Sequence, residues 1–149
     1  MVTESVLALL VRGLSHLKTE LSAYSVESKL WLTDGTISNS AGNLALHLIG
    51  NLKHFIGTTL GQSGFVRNRP AEFEDKDVPR DEILRQIDET ILIIQRVLPH
   101  LTTDDLNRTY PLAVRPEPVT TMFWLIHLTA HLNYHVGQIN YHRRLLDTP

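Results

Sequence analysis

The stretch Thr121-Met-Phe-Trp124-Leu-Ile-His127-Leu-Thr-Ala-His131-Leu-Asn-Tyr-His135-Val-Gly-Gln138-Ile-Asn-Tyr-His142 contains no Asp, Glu, Lys or Arg. Its apolar residues recur at helical rather than alternating spacing, which predicts one long helix running from about Val119 or Thr120 to Leu146. A charge-free helix is normally enclosed on more than one side or crosses a membrane. Here His127, His131, Asn133, His135, Gln138, Asn140 and His142 make it too polar for lipid. The stretch therefore reads as the inner helix of a helical protein, with one face also available to a partner subunit.

Working outward, residues 37 to 52 form a second charge-free run. It opens after Ser38-Asn39-Ser40, good N-cap chemistry, and is expected to continue to about Leu60, with Gly61 as its stop. Before it, Val6, Leu7, Leu10, Leu14, Leu17, Leu21 and Tyr24 mark a helix expected from about Thr3 to Trp31, followed by the turn Asp34-Gly35. After it, Gly61, Gly64, Pro70 and Pro79 and the acidic run from Glu72 to Asp77 read as a solvated loop. Ile83, Leu84, Ile87, Ile91, Ile94 and Leu98 mark another helix, beginning near Pro79 or Asp81 with acidic residues in its first turn and ending at Pro99. A connector holding Pro111, Pro116 and Pro118 leads to the last helix. Four such segments predict an all-α fold, a single four-helix bundle spanning residues 1–149.

Composition narrows the function. At 149 residues the chain is long enough for a real core. A net charge of −2 argues against a nucleic-acid partner. With no cysteine, disulfides, thiolate metal sites and a thiol nucleophile are excluded. The opening Met1-Val2-Thr3-Glu4 lacks a basic leader signature, so a cytoplasmic location is expected. The surplus residue is histidine, and six of the eight fall on the two charge-free helices.

At about 100° per residue, His127, His131 and His135 share one stripe with Trp124, Leu128, Gln138 and His142. On the earlier helix His47 shares a stripe with Asn43, Leu44, Gly50, Asn51 and His54. Buried imidazoles without partners are costly, and a divalent metal would satisfy them. His131 and His135, at i and i+4, can aim two ring nitrogens at one ion, with His47 supplying the third from the facing helix. Asn51, Gln138, His54 and His127 are expected behind the ligands or along the pocket. His54 has a place as a fourth ligand or surface residue as alternatives, and His127 stands one turn too far to be preferred as a ligand. Trp124 and Leu128 read as core, and His16, His100 and His142 as surface or structural.

The segment from His127 through Gly137-Gln138 resembles the last helix of the DinB-like (YfiT-like) metalloenzyme superfamily, and Asn43-Leu-Ala-Leu-His47-Leu-Ile-Gly50-Asn51 resembles its second. The resemblance covers the full length. It implies an up-down-down-up bundle, often a homodimer, with His47, His131 and His135 holding a divalent transition metal such as zinc or nickel. Many members carry a second histidine just before the last ligand; here Tyr134 takes that place, which leaves the ligand set intact and alters the pocket. Characterised members include transferases that use low-molecular-weight thiols.

Three neutral imidazoles would leave the metal its full charge, lowering the pKa of a bound water or thiol. The leading expectation is a metal-dependent transferase in which a low-molecular-weight thiol attacks a small-molecule substrate, with Arg67 and Arg69 clamping carboxylates of the thiol. The alternatives are a small metal-dependent hydrolase, disfavoured because no carboxylate in the charge-free helices is placed as a base, and a non-catalytic metal-stabilised dimer. Di-iron and zincin patterns are absent: no Glu precedes a His by three, and there is no His-Glu-x-x-His.

Overall fold

The structure is a computed structural model and describes residues 2–148. Helix α1 spans Val2–Ser22, α2 Ala41–Leu52, α3 Thr59–Gly61, α4 Arg69–Glu74, α5 Arg80–Val97, α6 Thr103–Asn107 and α7 Thr121–Leu146. Between α2 and α3 the helix continues through a wider π turn, Lys53–Thr58. No strand occurs among the described residues beyond one isolated bridge, Thr109 to Thr120, which closes the connector before α7.

Cross-contacts give the directions of the four long helices. Gly13 of α1 faces Leu132 of α7, and Glu20 receives bonds from Asn140 and Arg143, so α1 and α7 run parallel. Lys18 reaches Asp88, and Arg80 reaches the carbonyl oxygen of Tyr24, so α5 runs against α1. Lys53 pairs with Glu89, and the backbones at Gly57 and Gly61 abut Ile93 and Val97, so α2 and its continuation run with α5. The result is an up-down-down-up bundle.

Local chemistry places the helix ends. Ser40 Oγ accepts from the Asn43 amide and caps α2, and Thr120 does the same for α7 through Phe123. The second helical run does close at Gly61, but the residue that adopts the left-handed conformation is Gln62. Val6, Leu10, Leu14, Leu17 and Leu21 form the buried stripe of α1, each contributing roughly 1.5–3 kcal/mol by leaving water.

Three expectations need correction. The first helix does not reach Trp31: it ends at Ser22, and a separate 3-10 turn, Glu27–Trp31, lays Trp31 against Gly42. The loop after α3 contains α4, capped by Asn68, and within the acidic run Glu72 is buried. The two charge-free helices are also enclosed to different degrees. All of α2 is buried, whereas α7 leaves Phe123, Ile126, Tyr134, Tyr141 and Leu145 exposed along one face.

Candidate metal centre

Because α2 and α7 run antiparallel, the polar stripe of each meets that of the other. His47 Nε2 lies 3.2 Å from His131 Nε2, which lies 3.1 Å from His135 Nε2. One ligand atom from each of the three rings falls within 4.8 Å of the others. Three nitrogens on a tetrahedral ion at a bond length of about 2.1 Å would stand about 3.4 Å apart. The arrangement fits one small cation.

Hydrogen bonding on the other ring nitrogens sets the tautomers. His47 Nδ1 is 3.0 Å from Glu72 Oε1, and His135 Nδ1 is 2.6 Å from Gln138 Oε1. Both partners are acceptors, so each Nδ1 carries the proton and each Nε2 presents a lone pair to the centre. A neutral His131 could donate to only one of them, leaving lone pairs opposed. A proton is a poor substitute for a metal here: burial, followed by the neighbouring His135, His47 and His127 and Arg67, pushes His131 down to about 4. His135 is also lowered, by burial first and by His47, against the opposing bond to Gln138. With the Nδ1 protons of His47 and His135 directed outward, their Nε2 lone pairs and the Nε2 of His131 face one point. The buried Nδ1 of His131 has no hydrogen-bond partner.

The remaining candidates fall around this centre. Asn51 is buried one turn beyond His47, its Oδ1 without a partner. His54 sits half-buried on the π turn against the Phe55 ring, and none of its nitrogens joins the cluster. Exposed His127 stacks on Trp124, with ring centroids 4.6 Å apart and its own ring 6.2 Å from that of His131. Tyr134 is 64% exposed beside His135, and its hydroxyl accepts from Gln138. Trp124 and Leu128 are core, as expected. His142 is structural: it is buried, bonded to the Tyr24 hydroxyl and the Leu32 carbonyl oxygen.

Sequence reasoning missed Glu72 and misassigned Arg67. Glu72 is only 6% exposed and takes two 2.7 Å bonds from the Arg67 guanidinium besides its contact with His47. Burial raises the Glu72 carboxyl, but the bonds from Arg67 and His47 outweigh it and hold the group below the ordinary range, so it is ionised. Arg67 is thus engaged within the protein, and Arg69 lies over the Phe73 ring. The available signal was Asn68-Arg69-Pro70, an N-cap followed by a proline that starts a helix.

Comparison with known proteins adds the family. The architecture is similar to a solved structure described as a conserved protein from Enterococcus faecalis, with a TM-score of 0.75 and 18% identity over 97% of this chain and 96% of that one; at that identity the likeness shows the fold alone. No curated protein matches. Residues 8–148, which carry all three clustered histidines, match the family described as "Protein of unknown function (DUF1572)", and the chain belongs to that family.

Proposed function

We propose that the protein is a DinB-like, metal-dependent transferase in which His47, His131 and His135 hold one divalent transition metal, zinc or nickel, and the co-substrate is a low-molecular-weight thiol. The observation that carries this reading is the convergence of three Nε2 atoms, with the lone pairs of two turned inward by Glu72 and Gln138. A metal bound there supplies positive charge that lowers the pKa of a thiol or water. The chain's own residues hold the ligand rings, exclude water on the α2 side, and present His127 and Tyr134 beside the cluster to orient a small-molecule substrate. A transferase is favoured over a hydrolase because Glu72 is spent on Arg67 and the outer edge of His47, leaving no carboxylate in the cluster to serve as base.

Among the described residues no helix is long and apolar enough to cross a membrane; a thiol co-substrate suits the cytoplasm, where we place the protein. The occupant we assign to Phe123, Ile126, Tyr141 and Leu145 on the outer side of α7 is a second copy of the chain, with Tyr134 at the rim between that face and the cluster. From Thr121 to His142 the helix brings no charge of its own to this face, which offers Phe123, Ile126 and Tyr141, with Arg115 and Arg144 lying over the first and last of these rings.

The decisive experiment is elemental analysis of protein purified without an affinity tag. About one metal per chain is expected, and none in His131→Ala. Metal content unchanged by that substitution would refute the site. A panel of low-molecular-weight thiols with a chromogenic electrophile then separates the chemistries: turnover that needs thiol supports the transferase, and thiol-independent turnover makes it a hydrolase.

A further inference from the structure

The three clustered histidines differ in what stands behind them. His135 has a neutral amide from its own helix, His131 has nothing, and His47 has a carboxylate delivered by another element. That delivery is built. Asn43 Nδ2 donates to the carbonyl oxygens of Glu72 and Asp75, tying the end of α4 to α2 one turn before His47. Phe73 packs its ring 5.0 Å from the His47 ring. The Glu72 carboxylate lies against the α2 backbone at Gly50, where an added Cβ would fall 2.1 Å from Glu72 Oε2. Asn43, His47 and Gly50 occupy one face of α2, so a short helix otherwise surrounded by exposed residues seats one buried anion on that face.

We propose that Glu72, clamped by Arg67, is the positioning residue of the three-histidine centre: it fixes the His47 ring and strengthens its Nε2 as a donor. The role rests on the metal-binding reading above. An imidazole that donates its Nδ1 proton to an anion is a stronger ligand than one bonded to an amide. Glu72 therefore makes His47 the strongest of the three donors. Arg67 has a separate part. Its two bonds keep the carboxylate from rotating away, and its charge offsets that of Glu72, so the centre gains donor strength with little loss of net positive charge.

The test is titration of the full-length, metal-free protein with Co²⁺, reading visible ligand-field bands and competing with a chromogenic chelator. Wild type, Glu72→Gln, Gly50→Ala and Arg67→Met are compared, with helical content and melting temperature measured on each. Wild type is expected to bind about one Co²⁺; Glu72→Gln should bind roughly 10–100-fold more weakly and shift the bands at unchanged helical content. Gly50→Ala keeps Glu72 in the chain but pushes its carboxylate aside, so it should show the same band shift even if Glu72→Gln folds poorly. Arg67→Met should lie between them and wild type. A Glu72 that only supported the fold would lower the melting temperature and leave affinity and bands of the folded protein alone; that result overturns the inference while the metal site stands. Failure of wild type itself to bind Co²⁺ overturns the metal reading and this role with it.

Discussion

The parallel packing of α1 on α7 passes through Gly13, and replacing it by alanine sets two effects against each other. In a helix interior the change ordinarily stabilises by about 1 kcal/mol. Here a Cβ would lie 2.6 Å from Leu132 Cδ2 and 3.1 Å from its Cγ, and Leu132 is fully buried. Carbon atoms prefer roughly 3.5–4.0 Å, so Leu132 must retreat by about 1 Å into a filled core, at a cost of about 1–3 kcal/mol. Gly13→Ala should therefore destabilise by about 1 kcal/mol. Leu132→Ala alone should cost about 2–5 kcal/mol by leaving a cavity. With Leu132 already truncated, the clash is gone and the new methyl fills part of the hole, so Gly13→Ala should stabilise. Urea unfolding of the four members of this cycle, followed by circular dichroism, should give a coupling of about 2 kcal/mol. Additivity within about 0.5 kcal/mol, or a stabilising Gly13→Ala in the wild-type background, would refute the packing argument. Because Leu132 follows His131, the same substitution should also weaken metal binding by shifting α7.

Three further outcomes can be checked. Burial raises the Glu20 carboxyl, but bonds from Arg143 and Asn140 outweigh it, so its folded pKa lies below 4.5. The unfolded chain then takes up this proton first; the stabilisation is complete above about pH 4.5, lost as pH falls through the folded value, and absent in Glu20→Gln, so the two melting curves should converge in acid. His142→Leu removes the bonds to Tyr24 and Leu32 and should cost about 1–3 kcal/mol in denaturation midpoints, with metal content unchanged, since the ring is remote from the cluster in role. Tyr141→Glu places charge on the exposed face of α7 and should convert a dimer to monomer in sedimentation experiments; wild type that is monomeric at all concentrations would refute the pairing of two copies.

Much of this molecule could be read from residue order alone. The bounds of α7 and α5 and the start of α2 follow from apolar period and end chemistry, because Thr120, Ser40 and the acidic first turn of α5 act within a few residues of themselves. The grouping of His47, His131 and His135 was equally legible, since an i, i+4 pair on one charge-free helix and a histidine on another admit few arrangements once both helices are inside a bundle. Local signals failed where a partner distant in sequence decided the outcome. The Tyr24 side of the first helix ends early because that segment turns to pack on α2 and α7, and Ser25 to Val26 bind Asp147. An acidic run looks solvated whatever its setting; only the docking of α4 on α2 gives Glu72 an arginine and a histidine and makes its burial affordable. The outer face of α7 shows the converse. Lack of charge marks a helix as shielded from water, but which side is shielded, and by what, depends on where the neighbouring helices lie.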